Sequence, residues 1–428
     1  MKKTIARRTL GGVSALALAT LVAACASSGS GSSAAGASRT SSGSSPGVDV
    51  TTHTITIGAV EPLTGPDAVY GENAFGTEAY IDYVNAHGGV NGWKMKLITL
   101  DDQYEPALAV SGAKELVGSD HVFALVGVGG TPPGQAILPY AISTGEPDIG
   151  MTMDTGYLQV KYPDAAQLYG FQPSTAALTA FSVQYIATHL HATKIGLFYS
   201  DDATGTPTVP AAQFIASEYH VQIVPVAIPD SATDYSGYVA KMASAKPQVV
   251  ISWGAPPLTI GVVKAAHAIS FNPVWFGPFY NPLPAVFSAL GSLANNMYFE
   301  SWFEPFGANT AGMQTFISAT KQYTSDKSPS FLAELGWIGG AEFAHALSLA
   351  TADGKTPTQA SVESALGNGQ SFSPGNVQVT LKFEPGARLA TAGADKVLYY
   401  SGGKLTTIFS GADPTLPASV LSAAYAGS

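Results

Sequence analysis

The run Gly127-Val128-Gly129-Gly130-Thr131-Pro132-Pro133-Gly134 is the stretch of this chain best suited to hold a ligand. It follows the apolar segment Val122-Phe123-Ala124-Leu125-Val126 and opens a helix predicted from about Gly134 to Ile142. Backbone amides at a helix start, together with the helix dipole, favour an anionic group such as a carboxylate. Gly130 and Thr131 are the candidate contacts. A nucleotide fits less well, because its fingerprint needs G-x-G-x-x-G and Pro132 stands where the third glycine belongs. A plain tight turn between strand and helix is the competing reading.

Three other motifs do not rise to chemistry. Gly43-Ser44-Ser45-Pro46-Gly47 spells the G-x-S-x-G string of a nucleophile elbow, but no strand precedes it. His189 and His191 are two residues apart, a spacing that puts them on different sides of a helix. Asp101-Asp102 ends a strand, and nothing nearby makes it an acid–base pair. No catalytic constellation survives. The chain reads as a binder and not an enzyme, with no cofactor and no metal.

The elements that position the glycine loop alternate in type. Strands are predicted at Thr54 to Val60, Met95 to Leu100 and Val122 to Val126. Helices fall between them, at about Glu72 to Asn85 and Pro106 to Leu116. After Pro173 the alternation resumes. Helices are predicted over Ala176 to His189, Pro210 to Tyr219, Tyr235 to Ala243 and Leu258 to Ile269. The strands among them cover Lys194 to Tyr199, Val221 to Ile228 and Val249 to Trp253. Such alternation means parallel sheets covered by helices, joined by right-handed crossovers. The remainder holds helices near Met313 to Tyr323 and Phe331 to Ala350, then strands at Val377 to Phe383 and Lys396 to Tyr400.

Composition narrows the setting. The formal net charge is −10, only 12% of residues are charged, and there is no basic run. That argues against nucleic acid as a partner. The first residues form a secretory signal: Lys2, Lys3, Arg7 and Arg8 make a basic head, and Thr9 to Ala24 is uncharged. Its end, Val22-Ala23-Ala24-Cys25, resembles the lipobox of bacterial lipoproteins, in which the new N-terminal cysteine carries lipid. Cys25 is the only cysteine. Arg7-Arg8 leaves general secretion and twin-arginine export both open. Residues 1–24 are therefore expected to be removed, which takes the formal charge from −10 to −14. Residues 25–53 are expected to be the lipidated cysteine and a flexible Ser/Gly linker. About 375 residues remain, too many for one compact core and enough for two lobes.

Ordered landmarks identify a resemblance. They are Gly58-Ala59-Val60-Glu61-Pro62-Leu63-Thr64-Gly65-Pro66, Tyr70-Gly71, Asn85-Ala86-His87-Gly88-Gly89-Val90-Asn91-Gly92, Leu100-Asp101-Asp102-Gln103, Phe123 to Gly127, Asp234-Tyr235-Ser236 and Lys246-Pro247-Gln248-Val249-Val250. With these the chain resembles the type I periplasmic solute-binding proteins of the branched-chain amino acid and amide class of ABC importers. The resemblance implies an α/β fold of two doubly wound parallel-sheet lobes joined by a three-crossing hinge, with the ligand between the lobes. The crossings would fall near Gln172-Pro173, near Gly277-Pro278 and at Ser371 to Gly375. Residues 54–172 and 281–370 would then form the N-terminal lobe, and 173–280 and 371–428 the C-terminal lobe.

The same resemblance implies site residues. Thr131 matches a position whose hydroxyl meets the ligand carboxylate, and Tyr70 a pocket tyrosine. Thr152 would offer backbone contacts, and Asp154 or Thr155 a side chain. In the second lobe the chain departs from amino acid binders. Thr204 precedes Gly205 where they carry tyrosine, and Ala255 stands where they carry an aromatic residue. Phe279 follows Gly277-Pro278 where they place an acid for the α-ammonium. A buried ammonium without a counter-charge is costly, so only Asp154 or Asp201 is left to supply one. Trp253 and Phe279 offer aromatic walls in exchange, which suit a neutral or anionic solute, an aromatic compound or simple carboxylate among them.

The expected role is an extracytoplasmic, lipid-anchored, monomeric substrate-binding protein that delivers a small solute to the permease of an ABC importer. A ligand-sensing lipoprotein feeding a membrane signalling partner is the alternative within the same fold. A secreted hydrolase is the alternative from another class.

Overall fold

The fold is given by a computed structural model. The structure describes residues 45–65, 67–303, 305–324, 329–368, 370–377, 380–383, 390–391 and 395–427. The expected signal peptide, residues 1–24, and the lipid-bearing Cys25 lie outside the described residues. The expected linker is shorter than residues 25–53, because its last part is folded. Strand β1 (Val48–Asp49) pairs antiparallel with β2 (Thr54–Glu61). The amide of Thr56 donates to Gly47 O at 2.8 Å, and Asp49 Oδ1 accepts the amides of Thr51 and Thr52.

The first lobe continues with α1 (Glu72–Ala86), β3 (Lys94–Asp101), α2 (Pro106–Gly118), β4 (Leu125–Val126), α3 (Thr131–Thr144), β5 (Asp148–Met151), α4 (Thr155–Lys161) and β6 (Leu168–Gly170). Its parallel strands run in the order β3-β2-β4-β5-β6. The strand order reverses between β2 and β4, as in a doubly wound sheet. Buried apolar residues line both faces. Ile55, Ile57, Phe123 and Val126 pack on one side, and Val60, Leu100, Leu125 and Val128 on the other.

The second lobe comprises α5 (Thr175–His189), β7 (Lys194–Ser200), α6 (Thr208–Glu218), β8 (Gln222–Ile228), α7 (Ser236–Ala245), β9 (Val249–Trp253), α8 (Pro256–Ala268), β10 (Val274–Gly277), α9 (Pro284–Leu290) and β11 (Met297–Ser301). Its parallel order, β8-β7-β9-β10-β11, repeats that of the first sheet, with the same reversal between the first strand and the third.

The C-terminal portion then serves both lobes. It holds α10 (Ala311–Tyr323), α11 (Phe331–Ala350), α12 (Gln359–Leu366), β12 (Ser371–Phe372), β13 (Leu381–Phe383), β14 (Ala390–Thr391), β15 (Asp395–Ser401), β16 (Lys404–Gly411) and α13 (Ala418–Ala424). Helix α11 packs along α1 of the first lobe. A Cβ added at Gly336 would stand 1.7 Å from Asn73 O, and one at Gly76 the same 1.7 Å from Ala333 O. Two facing glycines therefore set the approach of the two backbones. Strand β15 pairs antiparallel with β11, and β16 with β15, so both extend the second sheet.

Two hinge expectations are corrected by the strand pairing. β11 is parallel to β10, with Phe276 opposite Tyr298, so residues 281–301 continue the second lobe. The chain leaves that lobe after Ser301, not at Gly277-Pro278. Phe383 is buried in the first-lobe core and β13 pairs with β12, so these strands stay with that lobe; the second sheet is rejoined only at β15, after Thr391, not at Ser371 to Gly375. Turn chemistry at Gly-Pro and Ser-Pro signals a loop, but it does not tell which sheet the next strand joins. The first passage between sheets falls between Gly170 and Thr175.

Candidate functional site

The loops after β2, β4, β5, β7 and β10 converge at the C-terminal ends of both sheets, where open α/β sheets bind ligands. Between them lies a cavity of about 50 Å³. A single water needs roughly 10–15 Å³, so there is room for a small solute group.

The first lobe contributes Tyr70, Asn73, Tyr104, Gly129, Gly130, Thr131 and Thr152 to the cavity wall. Gly129 and Gly130 are required there by space. A Cβ on Gly129 would lie 2.0 Å from Glu61 Oε2, and one on Gly130 2.4 Å from the Tyr104 ring. Gly130 also has φ of 88°, open to glycine at little cost.

The amide array expected of this loop is sparse. Gly129 N donates to Val60 O at 3.4 Å and Gly130 N to Thr152 O at 3.3 Å. Pro132 and Pro133 occupy the first turn of α3 and have no N–H. Thr131 N is left as the one free amide of that turn. The Thr131 hydroxyl accepts from Asp154 N at 3.1 Å and keeps its own proton to donate.

Asn73, in the first turn of α1, is 3% exposed. Its Nδ2 donates to Gly127 O at 2.9 Å, to Thr152 Oγ1 at 3.3 Å and to Glu61 Oε1. Glu61 is fully buried, and desolvation, with Asp102 adding repulsion, pushes its carboxyl well above the usual range. Burial thus favours its protonated form.

The second lobe contributes Thr204, Phe279 and Tyr280. Asp202 fixes the Thr204 loop, accepting the amides of Thr204 at 2.9 Å and Gly205 at 2.8 Å. Tyr280 meets Tyr70 of the other lobe edge to face at 6.2 Å, and Tyr70 stacks on Tyr104 at 5.3 Å. Burial raises the hydroxyls of all three tyrosines, so each stays protonated. Phe279 packs on Tyr280 at 5.0 Å and on Trp302 at 6.1 Å. Among the described residues none that lines the cavity is basic.

Six of the ten expected ligand contacts thus meet on one wall: Tyr70, Gly130, Thr131, Thr152, Thr204 and Phe279. The other four lie off it. Asp154 caps α4, and its oxygens are occupied by Gly156 N, by Thr175 N at 3.0 Å and by the hydroxyl of Tyr425 at 2.9 Å. Thr155 Oγ1 donates to Gln172 O at 2.6 Å. Trp253 stands behind Tyr280 at 6.5 Å, and Ala255 is the N-cap of α8. Asn73, Tyr104, Gly129, Gln172, Leu332 and Leu335 line the cavity without having been expected, and Tyr280, one of an aromatic group placed near the cleft from sequence, lines it too. Tyr280 follows Phe279 directly, and Asn73 comes one helical turn after Tyr70, so both were within reach of the motif. Leu332 and Leu335 come from α11, which no local pattern ties to the site.

A family model for periplasmic binding proteins matches residues 54–392. An amino acid binding protein of Pseudomonas aeruginosa is 40% identical over 82 residues, 18% of this chain; the matched stretch spans 22% of that relative's length. A branched-chain amino acid ABC transporter protein of Thermus thermophilus, solved with valine, superposes with a TM-score of 0.76 at 18% identity, covering 87% of this chain and 99% of that one. A solute-binding protein of R. palustris in complex with benzoate superposes with a TM-score of 0.74 at 16% identity, covering 85% and 98%. At these identities the two structures share the fold and nothing finer.

Proposed function

The chain belongs to the periplasmic binding protein family, and from that footing we propose that it captures a small organic solute between its lobes and delivers it to the permease of an ABC importer. The observation that carries this reading is the cavity walled from both lobes at the switch points of two doubly wound sheets. Binding would hold the lobes together, with Thr131 and Asn73 on one side and Thr204, Phe279 and Tyr280 on the other. The reading includes release of the solute unchanged, a monomer tethered outside the membrane by lipid on Cys25, and a signal peptide over residues 1–24. The solute is small and neutral or anionic, with an apolar or aromatic body against Phe279.

A thermal-shift screen of the chain lacking residues 1–25 tests the reading. The panel holds branched-chain amino acids, amides and urea, short-chain acids and aromatic acids. A solute at 100 times its Kd stabilises by about 2.7 kcal/mol. Silence, with no solute-dependent compaction in small-angle scattering, would sink the reading.

Two substitutions address the walls. Thr131→Ala removes one donor and should weaken the solute found by the screen by about 1 kcal/mol; titration calorimetry checks this, and unchanged affinity would take Thr131 out of the site. Phe279→Glu puts an acid where amino acid binders hold the α-ammonium. It should move preference toward amino acids, and unchanged selectivity in competition binding would mean that Phe279 does not occupy that place.

A further inference from the structure

The side of Asn73 that faces its neighbours is fixed by chemistry. Gly127 O is a carbonyl and can only accept, so the group 2.9 Å from it is the NH2 of Asn73. The same NH2 serves Thr152 Oγ1 and Glu61 Oε1. Asn73 Oδ1 is consequently left without a hydrogen-bond partner among the described residues, although the side chain is buried and forms part of the cavity wall. A buried acceptor without a donor is costly. The hydroxyl of Tyr280, on the same wall, is also without a partner among the described residues. On the donor side the α3 terminus offers the amide of Thr131 and its hydroxyl proton. Among the described residues there is no lysine, arginine or histidine on the wall, and the buried Glu61 carboxyl accepts from Asn73.

From this arrangement we infer that Asn73 selects the polar end of the solute, admitting an uncharged group that carries an N–H donor beside a carbonyl acceptor, as a carboxamide does, and rejecting an ionised carboxylate. The inference rests on the solute-binding reading above and narrows it. The carbonyl of such a group accepts from Thr131 N–H, and its N–H meets Asn73 Oδ1. A carboxylate has no donor for Oδ1 and brings two acceptors and a full charge to a wall with no cation. Asn73 is thus a specificity-determining residue, and Glu61 and Gly127 position it.

The test is calorimetric titration of the chain lacking residues 1–25 with matched pairs: isobutyramide against isobutyrate, and benzamide against benzoate. At pH 7 the amide of at least one pair should bind 30-fold or more tighter than its acid. Apparent affinity for the acid should rise about tenfold per unit as pH falls from 7 to 5, because only its protonated form carries a donor. Asn73→Leu should level the two members of the pair. A carboxylate bound at pH 7 as tightly as its amide overturns the inference and leaves the solute-binding reading standing. So does binding of neither pair when another solute from the screen closes the lobes. Absence of any closing solute brings down both. If Asn73→Leu does not fold, the wild-type pairs and their pH dependence still decide.

Discussion

Raising the pH from 5 to 7.5 should lower the unfolding free energy by about 3 kcal/mol or more. The cause is a pair of fully buried carboxyls. Asp148, on β5, is 1% exposed and neither of its oxygens has a hydrogen-bond partner among the described residues. Burial, with Glu146 adding repulsion, raises it from 3.8 to about 8, and Glu342 of α11 faces it. Glu300, on β11, accepts Phe279 N at 3.0 Å through one oxygen only. Burial raises it from 4.5 to about 8. The unfolded chain ionises both groups from about pH 4, while the fold keeps them protonated up to about 8. Between those limits the folded state binds more protons, so stability is greatest at mild acidity and falls as pH rises. Each such group removes about 1.4 kcal/mol per pH unit. Urea unfolding at pH 5, 6, 7 and 8 reads this slope. Asp148→Asn should flatten the profile and stabilise the protein at pH 8. A profile already flat in the wild type would show that these carboxyls find a counter-charge in the fold.

Gly336→Val should cost about 3 kcal/mol or more and weaken solute binding with it. The Cβ would stand 1.7 Å from Asn73 O and 2.8 Å from Thr77 N, both backbone atoms of α1. Neither can step aside as a flexible side chain would, so α11 and α1 must part. Overpacking of this kind reaches the upper end of the usual 1–3 kcal/mol range and beyond. Because Asn73 and Thr77 sit on the displaced helix, the cavity wall moves too. Gly340→Ala is the control on the same helix. Its Cβ would come no nearer than 3.3 Å to the Tyr80 side chain and 3.6 Å to Thr77 O, and alanine favours helix by about 1 kcal/mol. Urea midpoints and solute titrations of the two variants decide. Equal costs at the two positions would mean that the helices are not pinned by Gly336.

The alternation of strands and helices was legible because each element is short and its periodicity is local. Thr54–Glu61, Val249–Trp253 and Phe331–Ala350 fall within a residue of where the pattern put them. The helix after the glycine loop starts at Thr131 instead of Gly134, with Pro132 and Pro133 in its first turn, where proline is harmless. What the pattern could not carry was allegiance. Residues 281–301 look the same whichever sheet they join, and only pairing of Tyr298 with Phe276 decides. The site was half legible for the same reason. Tyr70, Thr131 and Phe279 belong to loops with recognisable strings, whereas Leu335 reaches the wall only because α11 folds back on α1. Asp154 misled, since an acid in a pocket-facing loop and an acid capping a helix have the same local sequence.

The bond between Asp154 and Tyr425 also sets a timetable. The partners are 271 residues apart, and β15, which flanks β11 in the second sheet, comes nearly as late. Synthesis at about 5–20 residues per second delivers Tyr425 roughly 15–50 s after Asp154. Throughout that interval the cap of α4 lacks its hydroxyl, and from Ser301 until β15 arrives the β11 edge of the second sheet is bare. The nascent chain should therefore stay open until its last residues arrive, and a chain cut a few residues short should be recognised by proteases as unfinished.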